Sequence, residues 1–283
     1  MKFGNLGRIG LVLMLTVGGS MSLSAVAMAD TLADIKARGT MIVGIDPTFA
    51  PYEFTDSTGA ITGYDPAVLA AVAEGLGVTV EYRTMAFSGI IPGLIAGSFD
   101  FTATALNVTA ERAERIAYTI PVSQTENGIL RRAGDTRVSG DDPTSLAGLT
   151  AAVKQTSTPE RVVQEASDEL LASGSAAINL LSIETTEQTV TALGTSRADF
   201  LVDDMSVLAQ VMEERPGQFE IAGKIGPTDY IAWGIRKDDQ SLVDAINAEL
   251  IKLKEDGTMM NLQQEFLGLS FDLPEQDFIP AAQ

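Results

Sequence analysis

The chain has 283 residues, 45% of them apolar and 20% charged, a globular composition long enough for two ordinary domains or one large one. Its formal net charge of −19 disfavours nucleic acid and anionic membrane as partners. It has no cysteine and no histidine, which excludes disulfides, a lipid-modified cysteine, thiolate or imidazole metal ligation, and any Ser–His or Cys–His mechanism.

The N-terminus reads as a cleaved secretory signal over residues 1–29. Lys2 and Arg8 form the positive flank, residues 9–17 the apolar core, and Ala27-Met28-Ala29 the cleavage site. Glycines and serines leave the apolar run too short to span a bilayer. Removing its two positive charges leaves −21 on the mature chain. No Walker A or dinucleotide glycine fingerprint follows, and no cofactor is expected.

Beyond the leader, residues 31–38 read as a short helix stopped by Gly39, and residues 41–45 as a buried apolar strand. A Pro-bounded loop over 46–52 follows. Asp65-Pro66 reads as a cap plus first-turn proline, opening a helix that Gly77 ends. Residues 78–83 form a strand, 90–96 a helix and 100–103 a strand. This alternation argues for a mostly parallel sheet with helices on both faces, in which ligands sit at the carboxyl ends of strands. Asp46, Phe49, Phe87, Thr104, Asn107 and Arg112 all lie in or beside such ends.

A break near Pro121 precedes a short strand over 129–131 and a polar loop over 134–143. A second α/β series then begins: strand 150–153, a helix from Thr158-Pro159 to about 171, strand 178–183, a helix from Thr185 to about 193, strand 200–202 and helix 205–212. Residues 230–235 read as a strand, 242–253 as an amphipathic helix and 260–267 as a last helix. The tail over 270–283, with two prolines, is expected to be loosely attached.

Residues 100–115, DFTATALNVTAERAER, organise the rest. A β-leaning run gives way to small and polar residues, among them Ala105, where a ligand can approach the backbone closely. Thr109 then caps a helical pattern with Arg112 at its third position. Free N–H groups and a planar, always-charged guanidinium suit a carboxylate. An ordinary strand-loop-helix with a surface arginine is the bland alternative.

The same stretch resembles the carboxylate-gripping segment of periplasmic solute-binding proteins for polar amino acids, the receptors of ABC importers. VGIDPTFAPYEF (43–54), ITGYDPAVLAAVAEGLG (61–77), FSGIIPGLIAG (87–97), AAVKQTST (151–158), LGTSRADFLVDD (193–204) and INAELIKLKEDGTMMNLQQEFLG (246–268) match as well. Their order and spacing are nearest to the glutamine-binding branch.

The resemblance implies an α/β, two-lobed periplasmic-binding-protein-like fold, two doubly wound mixed sheets joined by a two-strand hinge. It implies a first lobe over 30–121, a second over 122–229, a return to the first over 230–269, and crossovers near 121–124 and 226–230. It assigns Arg112 to a ligand α-carboxylate, with donors at Thr104 and Asn107, and at Ser157 and Thr158 from the far side. Asp204 takes the α-ammonium, unless the adjacent Asp203 does. Phe49 and Phe87 clasp the ligand stem. Lys154, Asp46 and Asp203 surround its distal end, where the branch often has a histidine in place of Asp203.

The function so implied is that of a monomeric, non-enzymatic periplasmic receptor delivering an amino acid, glutamine first, to a membrane permease. Two other readings compete. One is a cyclohexadienyl dehydratase-like lyase on the same fold, whose chemistry needs neither metal nor histidine. The other is the sensory subunit of a signalling system.

Overall fold

The computed structural model describes residues 30–281, so the expected leader lies outside the described residues. Helix α1 (Thr31–Arg38) leads into β1 (Thr40–Ile45), whose Met41, Val43 and Ile45 are buried and which runs between two parallel neighbours, β5 (Thr79–Thr84) and β6 (Phe101–Asn107). Between β1 and α2 (Tyr64–Leu76) the chain makes a small antiparallel sheet of β2 (Thr48–Phe49), β3 (Glu53–Thr55) and β4 (Ile61–Thr62), where the sequence suggests only loop. Gly63 fixes how this sheet feeds the helix. It sits at φ 119, and a Cβ there would stand 2.4 Å from the Tyr52 carbonyl oxygen. Gly63, not Asp65, is the N-cap of α2. Asp65 is instead fully buried in the first turn and accepts from Trp233 Nε1 at 2.7 Å.

After α3 (Phe87–Ile95) and β6, Thr109 caps α4 (Ala110–Ala113) by accepting from the Arg112 N–H at 3.1 Å. The helix that Thr109 opens is one turn only, and β7 (Ile116–Tyr118) follows at once. The chain then enters β8 (Ser123–Arg132), a 3-10 turn at Pro143–Leu146, β9 (Thr150–Lys154), α5 (Thr158–Ala172), β10 (Asn179–Ile183), α6 (Thr186–Gly194), β11 (Phe200–Asp204) and α7 (Met205–Glu214). It returns through β12 (Phe219–Arg236), then α8 (Gln240–Glu255) and α9 (Thr258–Leu267).

The strand order is β10-β9-β11-β8-β12-β6-β1-β5, with β7 also on β12. Parallel trios, β10-β9-β11 and β6-β1-β5, stand at the two ends, and antiparallel β8 and β12 join them. The two sheets therefore form one ladder, because β12 pairs β8 from Phe219↔Arg132 to Ile231↔Ser123 and then β6 and β7. Its register slips between Lys224 and Thr228. That slip separates two sets of core residues, one around Trp233, Tyr64 and Phe101 and the other around Phe200, Val153 and Leu201.

Helices α8 and α9 pack on α2 in the first set: Asn247 Oδ1 accepts from Ile120 N at 2.8 Å, and Gln263 Nε2 donates to Val122 O at 3.2 Å. The tail is held here too, contrary to its proline-rich reading. Leu273 is buried, and Lys254 Nζ donates to its carbonyl at 2.8 Å and to Glu275 at 2.9 Å. Its apolar Phe271 and Leu273 give it a core to join. Among the described residues, no helix is long and apolar enough to cross a membrane.

Candidate functional site

The carboxyl ends of β1, β6, β9 and β11 converge on a cleft between the two halves. Its inner end is lined by Phe49, Phe87, Ala105, Asn107, Lys154, Ser157 and Asp203, together with Glu53 and Pro159. The free space there is only about 20 Å³, room for one water. Its outer end opens into a vestibule of about 650 Å³ bordered by Arg112, Ser157 and Thr158.

Lys154 dominates the inner end. It terminates β9, and with a side chain only 5% exposed it reaches Asp46 Oδ2 at 2.7 Å and Thr48 Oγ1 at 3.2 Å. Thr48 in turn donates to Asp46 Oδ1 at 2.9 Å. The ammonium stands 5.2 Å from the ring centroid of Phe49 and 5.2 Å from that of Phe87, within cation–π range of both. Asp203 is buried beside it. Desolvation pushes its carboxyl up to about 6, although the Asp204 N–H, the Lys154 charge and Thr186 all act to lower it.

Arg112 holds the outer end. Its guanidinium packs 5.6 Å from the Phe87 centroid and donates to Asn107 O and, across the cleft, to Thr156 O, each at 3.0 Å. Burial draws its pKa down. Thr156 has φ 58, a left-handed conformation costly for a β-branched residue, and it aims that carbonyl at Arg112. Ser157, rather than Thr158, caps α5 by accepting from Glu160 N at 3.3 Å, and the buried Thr158 hydroxyl has no partner among the described residues.

Three expected residues line neither end: Asp46, which is buried against the Lys154 ammonium, Thr104 and Asp204. The Thr104 hydroxyl is fully buried and donates to Glu53, so it is not presented to the cleft as a free donor. Asp204 places Oδ1 on the start of α7, accepting from Ser206 N at 2.7 Å, while Oδ2 accepts from Tyr52 OH at 3.3 Å. Burial, with the Asp203 charge adding to it, pushes Asp204 up to about 7. Adjacent residues of one strand point to opposite faces, and here Asp203 faces the small inner cavity.

The sequence reading missed Tyr52, Glu53 and Asp65. Glu53 accepts from Ala105 N at 3.1 Å, which fixes the strand end that carries Ala105 and Asn107. Burial first and the Asp65 charge next push its carboxyl well up. Asp65 Oδ2 has no donor among the described residues, so the pair is suited to sharing one proton. The one available signal was an acid between two aromatics, Tyr52-Glu53-Phe54, in a segment too short to show a period. Among the described residues no acidic cluster has the makings of a metal site.

Comparison with known proteins bears on this cleft. A probable amino-acid ABC transporter-binding protein of Haemophilus influenzae is 25% identical over 252 residues, 88% of this chain and 93% of that protein. An arginine-binding protein of Corynebacterium glutamicum is 33% identical over 187 residues, 66% of this chain and 60% of that one. An ancestral arginine-binding protein solved with arginine superposes with a TM-score of 0.76 at 27% identity, covering 82% of this chain and 99% of that one. An ancestral arginine-binding protein solved with glutamine gives 0.74 at 28% identity with the same coverage. The model of the bacterial extracellular solute-binding proteins, family 3, matches residues 41–269, and the chain belongs to that family.

Proposed function

We propose that this protein is a periplasmic receptor that binds a polar amino acid, glutamine first, between its lobes and delivers it to the permease of an ABC importer. The observation that carries this reading is the pairing of two unlike ends in one cleft. Arg112 offers a guanidinium with no carboxylate within ion-pair distance among the described residues, while Lys154, Asp46 and Asp203 offer donors and acceptors together. The names of the relatives support an amino-acid ligand and an ABC transporter.

In this reading the α-carboxylate lies on Arg112, helped by Asn107, Ser157 and the free Thr158 hydroxyl. The α-ammonium takes Asp204, or Asp203 beside it, and the stem lies between Phe49 and Phe87. A neutral amide accepts from Lys154 and donates to a carboxylate, leaving neither unpaired. Glutamate would gain from Lys154 but meet Asp46 and Asp203. The inner space of about 20 Å³ is too small for a side chain, so entry requires the lobes to part and Lys154 to move. The bend belongs at the register slip in β12, with lobes divided at 121–122 and 229–230. The protein works as a monomer without chemistry of its own, exported by the leader at 1–29.

A thermal-shift panel of the twenty amino acids tests this. Glutamine should raise the midpoint most. Stabilisation by arginine or lysine without glutamine would overturn the choice of ligand, and no response to any amino acid would overturn the receptor reading.

A further inference from the structure

Behind the strand end that carries Ala105 and Asn107 lies a carboxyl pair without a counter-ion. Glu53 is 1% exposed and Asp65 fully buried, and among the described residues neither has a lysine or arginine within ion-pair distance. The Asp65 N–H donates to the Tyr52 carbonyl at 2.9 Å, which seats the two acids side by side, and their carboxyl groups share a hydrogen bond. Glu53 Oε1 accepts from the Thr104 hydroxyl and from Ala105 N at 3.1 Å, and Oε2 lies 3.2 Å from the same N–H. Asp65 Oδ1 accepts from Trp233 Nε1 at 2.7 Å, while the buried Oδ2 has no N–H or hydroxyl donor among the described residues. One proton on Glu53 Oε2 supplies that missing donor. A carboxylic acid keeps its other oxygen as an acceptor, so the bonds from Thr104 and Ala105 are retained.

From this geometry, and given the reading of the cleft as an amino-acid site, we infer that Glu53 works as a neutral acid donating to Asp65, and that this acid–carboxylate pair positions residues 105–107 and, through them, Arg112 for the ligand.

A line of bonds runs from the return strand to the mouth of the cleft. Trp233 of β12 holds Asp65 in α2, Asp65 holds Glu53, and Glu53 holds the Ala105 N–H at the end of β6. Two residues on, the Asn107 carbonyl accepts from the Arg112 guanidinium at 3.0 Å. A shifted strand end therefore turns the guanidinium as well. Two ionised carboxylates in one buried space would repel each other, and one proton removes that cost. In keeping with this, burial pushes Asp65 up to about 6, and burial with the Asp65 charge holds Glu53 well above the usual carboxylate range. The other titratable groups facing the pair supply no free counter-charge. Lys154 is bound to Asp46 at 2.7 Å, Asp203 is itself an acid, and burial keeps the hydroxyls of Tyr52, Tyr64 and Tyr82 protonated.

The test uses the full mature chain with two replacements. Glu53→Gln copies the neutral acid, since its amide can donate to Asp65 while its carbonyl accepts from Thr104 and Ala105. Glu53→Leu keeps the bulk and leaves the Ala105 N–H and Asp65 Oδ2 unpaired. In calorimetry with free glutamine, Glu53→Leu should bind at least ~10-fold more weakly than wild type, and Glu53→Gln should recover to within ~3-fold of it. Infrared spectra at pH 7 should show a protonated-carboxyl C=O band in the wild type that Glu53→Gln lacks.

A carboxylate band lost in its place would put a charge on Glu53 and overturn the inference. So would a Glu53→Gln protein that binds more than ~10-fold more weakly than wild type, or a folded Glu53→Leu protein with wild-type affinity, and these results would leave the receptor reading standing. If the leucine variant does not fold, the infrared band and the Glu53→Gln affinity decide the matter. A wild type that binds no amino acid would sink the receptor reading, while the infrared band would still decide where the proton lies.

Discussion

The two ends of the cleft differ in how far the protein has satisfied its own charges. At the inner end Lys154 is buried against Asp46 at 2.7 Å, with Thr48 completing the contacts. At the outer end Arg112 has two backbone carbonyls and no carboxylate within ion-pair distance among the described residues. Carbonyls orient a guanidinium without neutralising it. An anion therefore gains most at the outer end, whatever else it carries. At the inner end a newcomer gains only by matching a network that is already paired. The outer end is suited to supply affinity and the inner end discrimination.

Breaking the outer end should have the largest effect. If Arg112 pairs with the ligand carboxylate as proposed, Arg112→Ala removes one partner of a desolvated charge pair, a loss of roughly 2–5 kcal/mol, or about 30- to 4000-fold in affinity. The fold should survive, since the lost protein contacts are two hydrogen bonds and the packing on the Phe87 ring, all within the cleft. Calorimetry on a variant with wild-type circular dichroism checks this. Unchanged affinity would mean that the unpaired charge plays no part in recognition.

The sequence made the outer end legible and the inner end only partly so. Thr109 and Arg112 sit in one continuous segment, so capping rules placed the arginine at the mouth, even though α4 proved one turn long. The alternation of strands and helices likewise showed both parallel trios. The hinge strands were less visible. Half of β12 is Gly- and polar-rich, and only its apolar end, from Tyr230 to Ile235, reads as strand. The Lys154–Asp46 contact joins residues more than a hundred positions apart, and no local pattern encodes it. Glu53 and Tyr52 were hidden for a related reason, since each is buried by tertiary packing of a segment with no period of its own, and Asp65 was hidden because its place beside Pro66 reads as a helix cap rather than as a buried partner of Trp233.

The carboxylates near the middle of the cleft offer a gentler way to separate its ends, through pH. Asp203 lies at about 6 and Asp204 at about 7, both above the ~3.9 of an unfolded aspartate. Between those limits the folded state holds protons that the unfolded state has released. These two groups therefore favour folding at low pH and lose that contribution as pH rises through about 6 to 7. The ligand-free protein should melt higher near pH 5 than near pH 8. A bound α-ammonium stabilises the ionised carboxylates, so the added stability from glutamine should be larger near pH 8. Differential scanning fluorimetry across that range checks both signs. A ligand gain that is independent of pH would place the ammonium away from both aspartates.

The smallest effect is expected where the two ends meet. Tyr52 comes from the loop between β2 and β3, and its hydroxyl donates to Asp204 at the end of β11, across the cleft, at 3.3 Å. Tyr52→Phe keeps the ring, which stacks on Phe49 at 5.5 Å, and removes that hydrogen bond together with a long contact to Ser123 Oγ at 3.5 Å. One hydrogen bond to a charged acceptor contributes roughly 1.5–3 kcal/mol when well formed, and this longer one should fall at or below the lower limit. The contact exists only while the lobes are closed. If the empty protein is mostly open, its loss weakens the bound state alone, and affinity falls by up to ~10-fold through faster release. If the empty protein is mostly closed, the free and bound states lose the same contact and affinity barely moves. In that case small-angle scattering of the ligand-free variant should show a larger radius of gyration than the wild type. Because Lys154, Arg112 and Tyr52 all reach across the cleft, the first outcome is expected only if those three contacts together do not hold the empty protein shut. The space of about 20 Å³ left at the inner end shows how closely they draw the lobes together. We therefore expect the second outcome: nearly unchanged affinity, with the opening visible in scattering. A tenfold loss of affinity would show instead that ligand, and not the protein's own bridging contacts, closes the cleft.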